Sequence, residues 1–86
     1  MPNLRQQKKR VRTASRERLE NLRYRSTVRT LSRRLHAAIA DGDNDAVQAA
    51  HRELVRWLDR AVSHGALHRN TAARRKAQAA ALVTSA

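Results

Sequence analysis

Residues 41–65 read DGDNDAVQAAHRELVRWLDRAVSHG, and this stretch decides the fold. Val47, Ala50, Leu54, Trp57, Leu58 and Ala61 recur at helical spacing. At about 100° per residue they fall on one side of a helix, with Val55 and Val62 at its edge. Gln48, Arg52, Arg56 and Asp59 fall opposite. Asp43 stands just before the pattern, where a carboxylate can accept an orphan N–H of the first turn. Ser63-His64-Gly65 closes it. Gly42 and Gly65 are the only glycines, and glycine tolerates the left-handed conformation that ends a helix.

The two glycines divide the chain into three pieces. Upstream, from about Lys8 to Ala40, Tyr24, Val28, Leu31, Leu35 and Ala38/Ile39 step by three and four and form a second apolar stripe. Downstream, a third helix is expected from about Asn70, a plausible N-cap. Its Ala73, Ala77 and Ala80 share a small-residue face suited to close packing. Ala66 and Leu67 precede that cap and can fold back on its first turn as a hydrophobic staple. Arg and Ala dominate the composition, Phe is absent, and Tyr24 and Trp57 are the only aromatics. Both features favour helix over sheet.

The fold expected is all-α: a three-helix bundle with a long, basic, projecting first helix. That helix, about 33 residues, spans roughly 50 Å, whereas the second, about 19 residues, spans roughly 29 Å. Short connections make neighbours antiparallel, so the second helix covers only the part of the first from about Leu22 to Ala40. The third turns back beside the same region. Residues 1–86 then form one domain, with 1–20 a basic extension and 21–86 the bundle. Leu19 and Leu22 point away from the stripe of Val28 and Leu31, and their place stays open: solvent, RNA, or another segment. Unbound, residues 1 to about 20 are expected to be largely disordered, because repelling charges gain no burial to offset ordering entropy.

Charge is uneven. The net is +12, with 19 basic and 7 acidic residues. Up to Ala40 there are twelve Lys/Arg and two Asp/Glu; from Asp41 to Val62 the net is −2; beyond, four basic residues and no acid. Sixteen of the basic residues are arginine, which binds phosphate in a bidentate fork. Arg25, Arg29 and Arg33 form a row turned away from Tyr24 and the apolar stripe. Each cation that neutralises a phosphate releases counterions, giving strong, salt-sensitive affinity. The row, with Lys8 and Arg16 in the extension, is a candidate nucleic-acid contact.

Other chemistries find little support. No cysteine is present, and no Gly-rich phosphate loop, paired carboxylates or Ser-His-Asp set appears, so no enzyme, cofactor or small-molecule substrate is expected. A bundle this small offers no evident pocket. Asp41-Gly42-Asp43-Asn44-Asp45 looks like a calcium loop, but Ala46 and Arg52 stand where such a loop needs Gly and Glu. His64 and His68, four apart, are separated by Gly65 and lack further ligands, so no metal is expected. His51 reads as a boundary or core residue, and Trp57 as core rather than a base-stacking side chain; Tyr24 either packs or meets a nucleotide. No apolar run approaches a membrane span, and no apolar segment follows the basic N-terminus, which leaves the cytoplasm as the expected compartment.

Two stretches carry a resemblance. The first is Asn3-Leu4-Arg5, Lys9-Arg10-Val11-Arg12-Thr13, Asn21, Tyr24, Ser26 and Val28-Arg29-Thr30-Leu31. The second is Gly65-Ala66-Leu67-His68-Arg69-Asn70-Thr71-Ala72-Ala73-Arg74-Arg75-Lys76. With Gly42-Asp43 between them, they resemble the family of the bacterial small-subunit ribosomal protein numbered twenty, over nearly the whole chain. The resemblance implies a three-helix bundle bound directly to small-subunit ribosomal RNA, supporting its folding and assembly on the ribosome, with neighbouring ribosomal proteins as further partners. It implicates Asn3, Arg5, Lys9, Arg10, Arg12, Asn21, Ser26, Arg29 and Thr30 on the first helix. Near the third it implicates His68, Arg69, Asn70, Arg74 and Lys76, and Arg75 lies in the same motif. Gln6-Gln7 depart from the family's usual Ser-Ala, and His51 stands where an apolar residue is common.

Two competing functions follow from charge alone. A sequence-tolerant DNA-binding architectural protein needs the same cations. A membrane-surface helix needs an apolar face too, and the basic stretch Lys8 to Arg18 offers only Val11 as a large apolar residue.

Overall fold

Three helices account for the chain in a computed structural model that describes residues 4–85: α1 (Leu4–Asp41), α2 (Asn44–Ser63) and α3 (Arg69–Ser85). α1 has 38 residues and begins at Leu4, not near Lys8 as the apolar pattern suggests. No glycine or proline interrupts residues 4–41, and the residues there are mostly good helix formers, so the helix runs past its packed part. The extension, expected to be disordered when unbound, is thus helical from Leu4 onward. Every residue from Leu4 to Glu20 is exposed. The molecule measures 62 × 21 × 13 Å, and its long axis reflects this projection.

The turns follow their local chemistry. Gly42, at φ 73°, reverses the chain after α1, and its N–H reaches the Ile39 carbonyl at 3.2 Å. Asp43 caps α2, its side chain accepting from the Ala46 N–H at 3.2 Å. At the far end Gly65 takes φ 75°. The Gly65 N–H donates to the Val62 carbonyl at 3.0 Å, and the Ala66 N–H to the Ala61 carbonyl at 2.8 Å. This is the paired bonding that lets a glycine terminate a helix. Ala61 and Ala66, joined by that second bond, are both buried.

α3 starts slightly earlier than expected. Its cap is His68, not Asn70: the His68 Nδ1 accepts from the Asn70 N–H at 3.1 Å, and the His68 carbonyl takes the Ala72 N–H at 3.1 Å. The staple expected before the cap survives in shifted form, with Leu67 packed against the core that holds Ala72.

Val28, Leu31, Leu35 and Ala38 of α1 meet Val47, Leu54 and Leu58 of α2 in one core, joined by Ala72 and Ala79 of α3. Leu58 and Val28 are fully enclosed, and Leu35 nearly so. Two expectations about α3 fail. Ala73, Ala77 and Ala80 are exposed, and the buried seam is Ala72 and Ala79 instead. Around the helix those two lie between Leu82 and Val83, its only bulky apolar side chains, so this seam buries more apolar area than the alanine face would. α3 also packs chiefly on α2 and barely touches α1. Trp57, expected in the core, is half-buried at its edge, and His51 is half-buried as a boundary residue.

Candidate nucleic-acid interface

Because α3 leans on α2, it leaves a groove against α1. Where the sequence suggested no pocket, Arg25, Arg29, Ser32 and His36 form one wall of an open cleft of about 510 Å³, and Arg75 and Gln78 form the other. Leu35, Leu54, Leu67, Ala79 and Leu82 line its apolar parts. No carboxylate lines it. Three guanidinium groups around one apolar-floored cleft suit a run of phosphates, since each offers a planar fork of N–H donors.

The arginine row meets this groove only in part. A step of four residues turns a helix about 40° beyond a full circle, so the row drifts around the axis. Arg33 is carried out of the groove, and His36, seven residues after Arg29, stands in line with Arg25, Arg29 and Ser32. His36, Ser32 and Gln78 were missed in the sequence. The drift itself was the available signal for Ser32 and His36, which lie at i+7 and i+11 from Arg25. Gln78 had none, because its place depends on how α3 docks.

Arg25 has a second task. Its Nε donates to the Ala66 carbonyl at 3.1 Å, fastening α1 to the connection between α2 and α3. The bond is part-buried and satisfies a carbonyl beside the Gly65 turn. Removing it leaves that acceptor without its donor, at a cost of about 1 kcal/mol.

The other candidates separate into groups. Arg5, Lys8, Lys9, Arg10, Arg12 and Arg16 lie along the projecting half of α1, all exposed. Asn21 is half-buried where that half meets the bundle. Ser26 and Thr30 are exposed one turn apart, with the Thr30 hydroxyl donating to the Ser26 carbonyl at 3.0 Å. Arg69, Asn70 and Arg74 are exposed on α3, on faces other than the groove. Lys76 forms an ion pair with Asp59 of α2. His68 spends its Nδ1 on the cap of α3. Asn3 lies outside the described residues. The basic residues of α3 are thus divided: Arg75 faces α1, Lys76 holds α2, and Arg69 and Arg74 face outward.

The two aromatics sit together at the junction of the projecting half with the bundle. The rings of Tyr24 and His64 stack at 4.7 Å between centroids with 23° between planes. Tyr24 and Trp57 meet at 5.7 Å and 52°. The Arg60 guanidinium lies 5.2 Å from the Trp57 ring centroid, within cation–π range. Tyr24 therefore packs, but at the rim, where it is only half-buried. No helix of the described chain is long and apolar enough to cross a membrane.

Known proteins share this sequence pattern. The profile of the family described as Ribosomal protein S20 matches residues 2–84. The "small ribosomal subunit protein bS20" of Kocuria rhizophila is 46% identical over 76 residues, covering 88% of each chain. The protein of the same name from Corynebacterium urealyticum is 46% identical over 81 residues, covering 94% of this chain and 93% of its own. That of Heliobacterium modesticaldum is 42% identical over 78 residues, covering 91% and 89%.

Proposed function

The chain belongs to the ribosomal protein S20 family, and from that premise we propose that it is a structural component of the small ribosomal subunit. In this reading residues 1–86 act as one domain that binds small-subunit ribosomal RNA directly and supports its folding and assembly on the bacterial cytoplasmic ribosome. It works as a clamp and not as a catalyst. The observation that carries the reading is the division of α1: one half is buried in a bundle, and the other extends beyond it, exposed and strongly cationic. A helix that spans beyond its own core can reach RNA segments that the bundle alone cannot. The arginine-lined groove supplies a second contact, so RNA would be held at two places along one continuous helix.

Arg5, Lys8, Lys9, Arg10, Arg12 and Arg16 are proposed as phosphate contacts of the extension, with Asn3 preceding them in the chain. Arg25, Arg29 and Arg75 are proposed as those of the groove, and Arg33, Arg69, Asn70 and Arg74 as flanking contacts. Asn21, Ser26 and Thr30 supply hydrogen bonds along α1. Lys76 and His68 act through the packing and capping of α3 as much as through RNA.

The test is binding to a small-subunit ribosomal RNA fragment and to duplex DNA across a salt series, beside co-sedimentation with small subunits. A marked preference for the RNA at physiological salt is expected. Equal affinity for duplex DNA, or absence from the small subunit, overturns the reading in favour of an architectural DNA-binding protein. Replacing Lys8, Lys9, Arg10 and Arg12 by Gln should lower the slope of log affinity on log salt by about 0.7–0.9 for each phosphate no longer neutralised. The melting temperature should hold, since all four side chains are exposed.

A further inference from the structure

Leu4, Val11, Leu19 and Leu22 are the exposed large hydrophobics among the described residues, and all precede Tyr24 on α1. Leu19 and Leu22 are each 59% exposed, an unfavourable placement unless something covers them. They are not isolated. With Arg23, Tyr24, Trp57 and His64 they line an open cleft of about 760 Å³ where the projecting half of α1 leaves the bundle.

We propose that this cleft receives an unstacked nucleobase of the bound RNA. The inference rests on the RNA-binding reading and adds a base-contacting site to a surface that otherwise meets only the RNA backbone.

Three features select this occupant. First, both aromatics of the chain are here, at the rim and not at the centre of the core. His64 lies on Tyr24, Tyr24 leans on Trp57, and Arg60 lies against Trp57, so each ring is held by the next. A wall already fixed in place loses little side-chain freedom when a flat ligand joins it. Second, the leucines give the cleft an apolar side, and a nucleobase offers two apolar faces. Third, the cleft belongs to a strongly cationic chain, +12 overall: its own lining balances Arg23 against Glu20, and Arg60 lies against Trp57 beside it. A phosphate can rest on Arg23 while its base enters. A second copy of the chain is disfavoured, because it would bring another strongly basic helix against this one.

Paired bases keep their faces inside the stack, so only a bulged, looped or flipped nucleotide can enter. The site would therefore distinguish RNA by local shape, whereas phosphate contacts do not. Stacking of a base on an aromatic side chain changes affinity by about 5- to 150-fold.

The test uses the intact chain and two RNA hairpins of equal length at physiological salt: one fully paired, one carrying a single bulged 2-aminopurine. Trp57, the only tryptophan, reports from the protein side. The bulged hairpin should bind at least about 5-fold tighter, with changes in both Trp57 and 2-aminopurine fluorescence. Leu22→Ala and His64→Ala alter exposed side chains, so the fold should persist. Both should lose the preference while affinity for the paired hairpin holds. Equal binding of the two hairpins by the parent chain overturns the proposal and leaves RNA binding intact. So does an equal loss of affinity for both hairpins in the variants. Binding to neither hairpin overturns this proposal together with the RNA reading beneath it.

Discussion

The two halves of α1 are one continuous helix, yet different forces hold them. From Leu4 to Glu20 every side chain is exposed, and seven basic residues face two acidic ones. From Asn21 onward the same helix buries Val28, Leu31, Leu35 and Ala38 against α2. The first half is helical through local propensity, in continuation of a helix nucleated elsewhere. The second is helical because unwinding it would expose a core. Both halves carry cations, seven basic residues from Leu4 to Glu20 and five from Asn21 to Asp41, but only the second also carries the core, so cations of the projecting half can change without weakening the bundle.

Amide exchange should show the widest contrast. In the free protein, amides from Val28 to Ala38 should open only with global unfolding, whose free energy is about 5 kcal/mol or more for typical domains. Those from Leu4 to Glu20, in a helix with no tertiary cover, should open by local fraying and exchange far faster than the core, and should become protected when RNA binds. Slow exchange of the projecting half in the free protein would erase the distinction between the halves.

Truncation gives the next largest effect. Leu58→Ala removes a fully enclosed side chain and should lower stability by about 2–5 kcal/mol in urea unfolding. Val11→Ala, on the projecting half at 65% exposure, should stay within about 0.5 kcal/mol. Similar losses at the two positions would mean that Val11 packs in solution.

Gly65→Ala tests the turn that sets α3 in place. A Cβ there meets nothing within 4 Å, so the cost comes only from forcing an L-residue to φ 75°. It should amount to about 1–2 kcal/mol. The groove should suffer with it, because Arg25 is fastened to Ala66, the next residue. Unchanged stability would show that the left-handed turn is not what holds the α2–α3 connection.

Much of this was legible in the sequence because it depends on neighbours along the chain. Asp43 caps and Gly42 turns through atoms within a few residues. The stripes of Val28, Leu31 and Leu35 and of Val47, Leu54 and Leu58 follow from helical periodicity. α3 was harder to read. With six alanines among its 17 residues, its stripes differ little in hydrophobicity, so Ala73, Ala77 and Ala80 looked as good a seam as Ala72 and Ala79. The His68 cap escaped because Asn70 is the commoner capping type, and only the backbone path into the helix showed which residue turns first.

The sequence by itself determined three helices, their order, the two left-handed glycine turns, and the concentration of charge on a first helix longer than its partners. These rest on local propensity and periodicity. Only the tertiary structure decided which cations act together. Arg75 meets Arg25 and Arg29 across a groove because α3 docks on α2, and Lys76, its neighbour in sequence, pairs with Asp59 instead. Leu19 and Leu22, which matched no stripe, acquired a place beside Tyr24, Trp57 and His64 through the docking of α2 on α1. Residues far apart in the chain become neighbours through packing, and the direction in which a helix of small side chains packs is settled by the whole core.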